Sequence, residues 1–146
     1  MTIISLFHRI RRDESGATII EFALLAPMFL LMLMGVLQVG VAMQNYNALR
    51  NLSADVARMA MVQYQTGNSL TNSQIETWAE NHALGAPYLL DQNRVNAVVT
   101  TPGTQRVAGA TELQIVISYQ IDSFLDFAGI DSPFITYTRP VFLLDS

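Results

Sequence analysis

The chain contains no cysteine and no lysine. Without cysteine it can form no disulfide, no Cys-ligated zinc site and no thiol nucleophile. A cysteine-free chain also fits a domain outside the bacterial cytoplasm. Without lysine, all side-chain positive charge apart from histidine rests on eight arginines. Three of these, Arg9, Arg11 and Arg12, stand together before the first long apolar run. Beyond Gly16 the acidic residues outnumber the arginines. That balance argues against a nucleic-acid partner, which needs a concentrated basic surface. Histidine is scarce too, with only His8 and His82. No Ser/His/Asp or metal-ligand set with plausible spacing can be built on either. His82 reads as an exposed histidine near a helix end. Asp122, Asp126 and Asp131 lack the alternating acidic pattern and central glycine of a calcium loop, and read as a solvated acidic loop. There is no phosphate-cradling glycine-rich loop. The reading is therefore not an enzyme, with no cofactor, no metal site and no small-molecule substrate.

What the chain does have is an apolar segment long enough to cross a membrane. From Phe22 to Met43 there is no charge, and Gln38 is the one strongly polar side chain. About 20 apolar residues span a hydrocarbon core of about 30 Å at 1.5 Å per residue. Residues 17–43 are expected to form a transmembrane helix. Arg9, Arg11 and Arg12 precede it closely, and the next arginine is Arg50. The positive-inside bias then puts residues 1–16 in the cytoplasm and residues 44–146 outside it, as an extracytoplasmic domain of a single-pass inner-membrane protein.

One residue needs explaining. Glu21 lies at the fifth position after Gly16, at the edge of the apolar run. An intramembrane carboxylate costs roughly 2.5–3.5 kcal/mol at a helix centre and less near an interface, and such groups usually have a partner. A signal peptide cut after the run fits poorly, because Gly40-Val41-Ala42-Met43 is a weak small-x-small site and the run is long for an h-region. A plain uncleaved anchor explains everything except the glutamate. A prepilin-type leader explains it as well: basic residues, a glycine, then a hydrophobic helix with Glu five residues on. Cleavage between Gly16 and Ala17 would create an α-amine at Ala17, a natural partner for Glu21 on the same or a neighbouring chain. Against this, Glu21 is close enough to the helix end to reach the headgroups unaided. Pro27 sits within the same helix, where it removes one backbone hydrogen bond and crowds the carbonyl of Ala23. Membrane helices tolerate such a proline when neighbours re-satisfy the freed group.

The stretch RRDESGATIIEFALLAPMFLLMLMGVLQVG resembles the N-terminus of TadE-like proteins, minor pseudopilins of tight-adherence (Flp) pilus systems. The features that match are the Arg-rich leader, Gly16, Glu21-Phe22, Pro27 and the Leu/Met-rich helix. The resemblance covers residues 9–43; beyond them only size and layout agree. It implies processing by a prepilin peptidase and a role in pilus assembly among other pilins, pseudopilins and inner-membrane Tad assembly proteins, either within the filament or at its base. Adhesion would be a consequence of the whole system. Two other readings stay open: an uncleaved bitopic scaffold that binds a periplasmic partner, and a type II secretion minor pseudopilin.

The remaining chain reads as α+β. No proline or glycine interrupts Gln44 to Tyr64, so the first helix is expected to continue out of the membrane. Tyr46, Leu49, Val56, Met59 and Val62 mark its apolar stripe, and Asp55 can pair with Arg58 on its surface. Thr66-Gly67-Asn68-Ser69 breaks the pattern. A short second helix follows, with Ser73 and Glu76 as a capping box. Trp78 is expected to pack on the long helix. The period then falls to two. Strands are expected at 94–100, around 113–121, and at 134–143, the last an edge strand because of Pro140. The expected whole is a long helix packed on a small antiparallel sheet of about three strands, a pilin-like plan that is partly implied by the resemblance.

Overall fold

The computed structural model describes residues 14–144. Helix α1 runs Glu14–Gln65 without a break, through Pro27. At 1.5 Å per residue its 52 residues extend about 78 Å. It ends because the chain turns left-handed at Gly67, with φ 77°. The amide of Asn68 reaches back to the carbonyl of Gln63 at 3.0 Å, and that of Gly67 to Tyr64 at 3.1 Å. This paired closure satisfies carbonyls that a helix end otherwise leaves open, and glycine meets no Cβ penalty there.

Helix α2 spans Asn72–Leu84. Its capping box is not the expected Ser73/Glu76 pair. Thr71 is the cap: its hydroxyl accepts from the Gln74 amide, and the Gln74 side chain accepts from the Thr71 amide at 2.9 Å. The expectation failed because Glu76 points elsewhere, as described below. Ile75, Ala79 and Ala83 form the buried stripe of α2.

Three strands follow: β1 at Val95–Thr100, β2 at Ala110–Gln120 and β3 at Phe134–Leu144. They form one antiparallel sheet in the order β1-β2-β3, with a short 3-10 turn at Asp126–Ala128 between β2 and β3. In β2, Ile117 sits between Ala97 on one side and Tyr137 on the other. Pleating sends alternate side chains to one face. Leu113, Ile115, Ile117 and Tyr119 of β2 are buried on that face with Val95, Ala97 and Val99 of β1 and Val141 and Leu143 of β3. Leu49, Leu52, Val56, Ala57 and Ala60 of α1 and the stripe of α2 complete the core. Burying side chains of this kind contributes about 1.5–3 kcal/mol each. The α+β layout expected from the sequence is the one observed, including Pro140 on an edge strand, opposite Gln114.

Both edges of the sheet are managed. On β1 the outward amides of Ala97 and Val99 donate to Glu80 at 3.2 Å and to Glu76 at 2.7 Å. Four residues of helix rise about 6 Å, and two residues of strand about 6.6 Å, so the pairs match in spacing. Two carboxylates thereby stand where another strand would add. On β3, Pro140 has no amide to offer.

Candidate functional site

The residues singled out by sequence lie along the first turns of α1. Gly16 lies two residues after the helix start at Glu14, and a Cβ built there would meet nothing within 4 Å among the described residues. The four leading amides of a helix have no intrahelical partner, so opening the chain at Gly16 disrupts few hydrogen bonds. Ala17 follows within the helix. Glu21 is exposed and makes no ion pair among the described residues. Helical side chains lean toward the N-terminus and meet positions one turn back, so Glu21 faces the turn that begins at Ala17. Phe22 is 72% exposed. Pro27 stands inside the unbroken helix. Arg9, Arg11, Arg12 and His8 lie outside the described residues.

Around these residues the helix surface is apolar on all sides. Leu24, Met28, Phe29, Met32 and Leu33 are all more than half exposed, and the most apolar window of the helix is wholly unburied. An exposed belt this long would be unfavourable in water and is what a bilayer accommodates.

Toward the domain, one stripe of α1 becomes covered. Met34, Gln38, Val41, Ala42, Asn45 and Ala48 are half-buried, and Leu49, Leu52 and Ser53 fully so. The cover thus begins within residues 17–43. Its first polar contact is Gln38, whose Nε2 donates to the Asp122 carbonyl at 2.8 Å. Its Oε1 accepts from the Phe124 amide, also at 2.8 Å. Further along, Arg139 on the inner face of β3 donates through Nε to the buried Ser53 hydroxyl at 3.0 Å.

These long-range contacts correct several expectations. Asp122 is not merely solvated: its carboxylate pairs with Arg94, which also faces Asp91. That pairing holds the Arg94 guanidinium above its ordinary range. His82 is not a lone histidine. It stacks on Trp78 with ring centroids 4.5 Å apart, meets Tyr88 edge-on, and lies 3.7 Å from Asp55. Asp55 accepts from the Tyr88 hydroxyl at 2.6 Å rather than pairing with Arg58. Burial, reinforced by that hydrogen bond, pushes the Tyr88 phenol up to about 12. This cluster cements α1 to α2 and the loop after it. At the far end of β2, buried Glu112 is clasped by Arg106 through Nε at 2.9 Å. The guanidinium holds the Glu112 carboxyl below its usual range.

Residues 16–58 match a family model described as TadE-like protein. Over that segment the chain is TadE-like. The matched segment starts at Gly16, takes in Ala17, Glu21, Phe22 and Pro27, and follows α1 to Arg58. The length and apolar surface of the helix that carries the match fit a single membrane span. Comparison with curated proteins and with solved structures returned no match.

Proposed function

We propose that this TadE-like chain is a minor pseudopilin, cut by a prepilin peptidase between Gly16 and Ala17, that supports assembly of a Flp/Tad pilus. The observation that carries the reading is Glu21: an exposed carboxylate with no ion pair among the described residues, five positions beyond a glycine at the start of an apolar helix. Cleavage would place a new ammonium at the positive end of the helix dipole, where a cation is disfavoured. A carboxylate about 4 Å away contributes ~4 kcal/mol at an effective dielectric near 20. The penalty on Glu21 is below the roughly 2.5–3.5 kcal/mol of a carboxylate at mid-membrane, because it lies near the helix start. Pairing, within one chain or between neighbours, is therefore favoured once the cut is made. Before it the α-amine at Ala17 does not exist, which would couple processing to assembly.

In this reading the arginine-rich leader is cytoplasmic and the α+β domain periplasmic. The chain is an enzyme's substrate, not an enzyme. Its partners are the peptidase, other pilins or pseudopilins and the inner-membrane Tad assembly proteins. A Glu21→Ala variant tests the pairing role in cells that otherwise make pili. It should insert and be processed like the parent, yet pilus yield in the sheared fraction should fall. Normal pilus yield would remove the role assigned to Glu21.

A further inference from the structure

The segment joining β2 to β3 is oddly apolar for a loop. It carries Phe124, Leu125, Phe127 and Ile130, and of these Phe124, Phe127 and Ile130 are 45%, 72% and 52% exposed. It also does not stay with the domain. It folds down beside α1, where Phe127 borders a recess formed with Pro27, Leu30, Leu31 and Met34. Pro27, Leu30 and Leu31 belong to the exposed apolar belt, and Met34 begins the covered stripe. We propose that Ser123–Ile130 is a lipid-inserting wedge, seated beside α1 in the leaflet that faces the domain.

Gln38 gives the first support. It is the one strongly polar side chain between Phe22 and Met43, and a polar side chain at membrane depth needs a purpose. Both ends of its amide are spent on the loop backbone, on the Asp122 carbonyl and the Phe124 amide. Gln38 is thus the fastener that holds the loop to the helix.

The loop's own hydrogen bonding gives the second. Non-helical backbone survives near hydrocarbon only when its polar groups are satisfied by protein. Here the Ser123 hydroxyl donates to the Ile130 carbonyl at 2.7 Å and accepts from the Leu125 amide at 3.2 Å. The Gly129 amide donates to Asp126 at 2.9 Å and the Ile130 amide to Leu125 at 3.2 Å. Gly129 has φ 76°, which lets the loop close on itself. The neck is pinned by the Ile121 amide on the Pro133 carbonyl at 3.0 Å and by Asp122 on Arg94.

Depth follows from the helix rise. Met34 and Leu30 lie four and eight residues before Gln38, about 6 and 12 Å along the axis. An interfacial element sinks about 5–10 Å. A bilayer boundary near Gln38 puts Met34 within that range and Leu30 and Pro27, about 12 and 16 Å down, below it. It leaves 18–37 as the spanning stretch, 20 residues or about 30 Å long, which matches the hydrocarbon thickness. The wedge carries one carboxylate, Asp126, at its 3-10 turn, and Asp131 follows it. With no cation in the loop, insertion should not require anionic lipid. The proposal rests on the membrane span alone, and not on cleavage or pilus assembly.

The absence of native cysteine makes the test direct. Full-length Phe127→Cys protein carries a fluorophore and is reconstituted in phosphatidylcholine vesicles at high lipid-to-protein ratio. Thr104→Cys, in the β1–β2 connection at the opposite end of the sheet, is the control. Dibrominated phosphatidylcholine should take emission from the probe at 127 and leave that at 104 unchanged. Adding Gln38→Leu should reduce the loss at 127, with Trp78 emission reporting that the domain remains folded. Equal, weak quenching at both sites would overturn the proposal. So would shielding of the probe at 127 that arises only when chains are crowded together, which would make a neighbouring helix the occupant.

Discussion

Removing the carboxylate of Glu76 should destabilise the domain by exposing the edge of β1. Its Oε1 accepts from the Val99 amide at 2.7 Å, and Val99 itself is buried. A hydrogen bond to a charged group contributes about 1.5–3 kcal/mol, and leaving a buried donor unpaired costs a similar amount. Glu76 is only partly buried, so water can partly replace it, and Glu76→Ala should cost about 1.5–2 kcal/mol. Glu76→Gln keeps an oxygen acceptor and loses the charge. Charge-assisted bonds are roughly twice as strong as neutral ones, so this variant should lose about half as much. The double change Glu76→Ala/Glu80→Ala frees the Ala97 amide as well, and should also promote edge-to-edge association. The assay is urea unfolding in detergent micelles, followed by Trp78, the chain's one tryptophan, which lies between the two glutamates in the sequence of α2. With a slope of about 1–3 kcal/mol/M, Glu76→Ala should lower the midpoint by about 1 M. A midpoint unchanged for both Glu76→Ala and Glu76→Gln would refute the edge-capping argument.

Two further outcomes concern the domain. Ile117 is fully buried at the centre of the sheet, so Ile117→Ala should cost about 2–5 kcal/mol in the same unfolding measurement. Glu112 has its folded pKa held down by Arg106, so its contribution is fully present above the ordinary carboxylate pKa of about 4 and is lost as pH falls through the lowered value. Glu112→Gln should therefore be less stable than the parent at neutral pH, and the two urea midpoints should converge as pH falls through the lowered Glu112 value.

The sequence disclosed most where signals are local. The uncharged run from Phe22 to Met43 announced the long helix, and the absence of breakers up to Tyr64 carried it into the domain. The alternation of Leu113, Ile115, Ile117 and Tyr119 marked the central strand, and Pro140 marked an edge. What stayed hidden depends on residues far apart in the chain. Ser73 and Glu76 have capping-box spacing, but Thr71 and Gln74 take that role and Glu76 turns to β1, a strand not yet placed when α2 is read alone. Asp122 looks solvated until Arg94 is brought beside it. His82 looks alone until Asp55 and Tyr88 converge on it. Gln38 was noticeable as a polar exception, yet its partners lie 84 and 86 residues away. The TadE-like segment shows the same division, since the family match stops at Arg58 and leaves the sheet to be read from packing alone.

Cleavage of the peptide bond between Gly16 and Ala17 decides the role proposed for Glu21. Intact-mass and N-terminal peptide analysis of the protein from native membranes tests it most directly. A chain that begins at Ala17 is the predicted result, and it would give Glu21 the amine it is proposed to meet. A mature chain that keeps residues 1–16 would contradict the pseudopilin mechanism and leave an uncleaved membrane-anchored scaffold in its place.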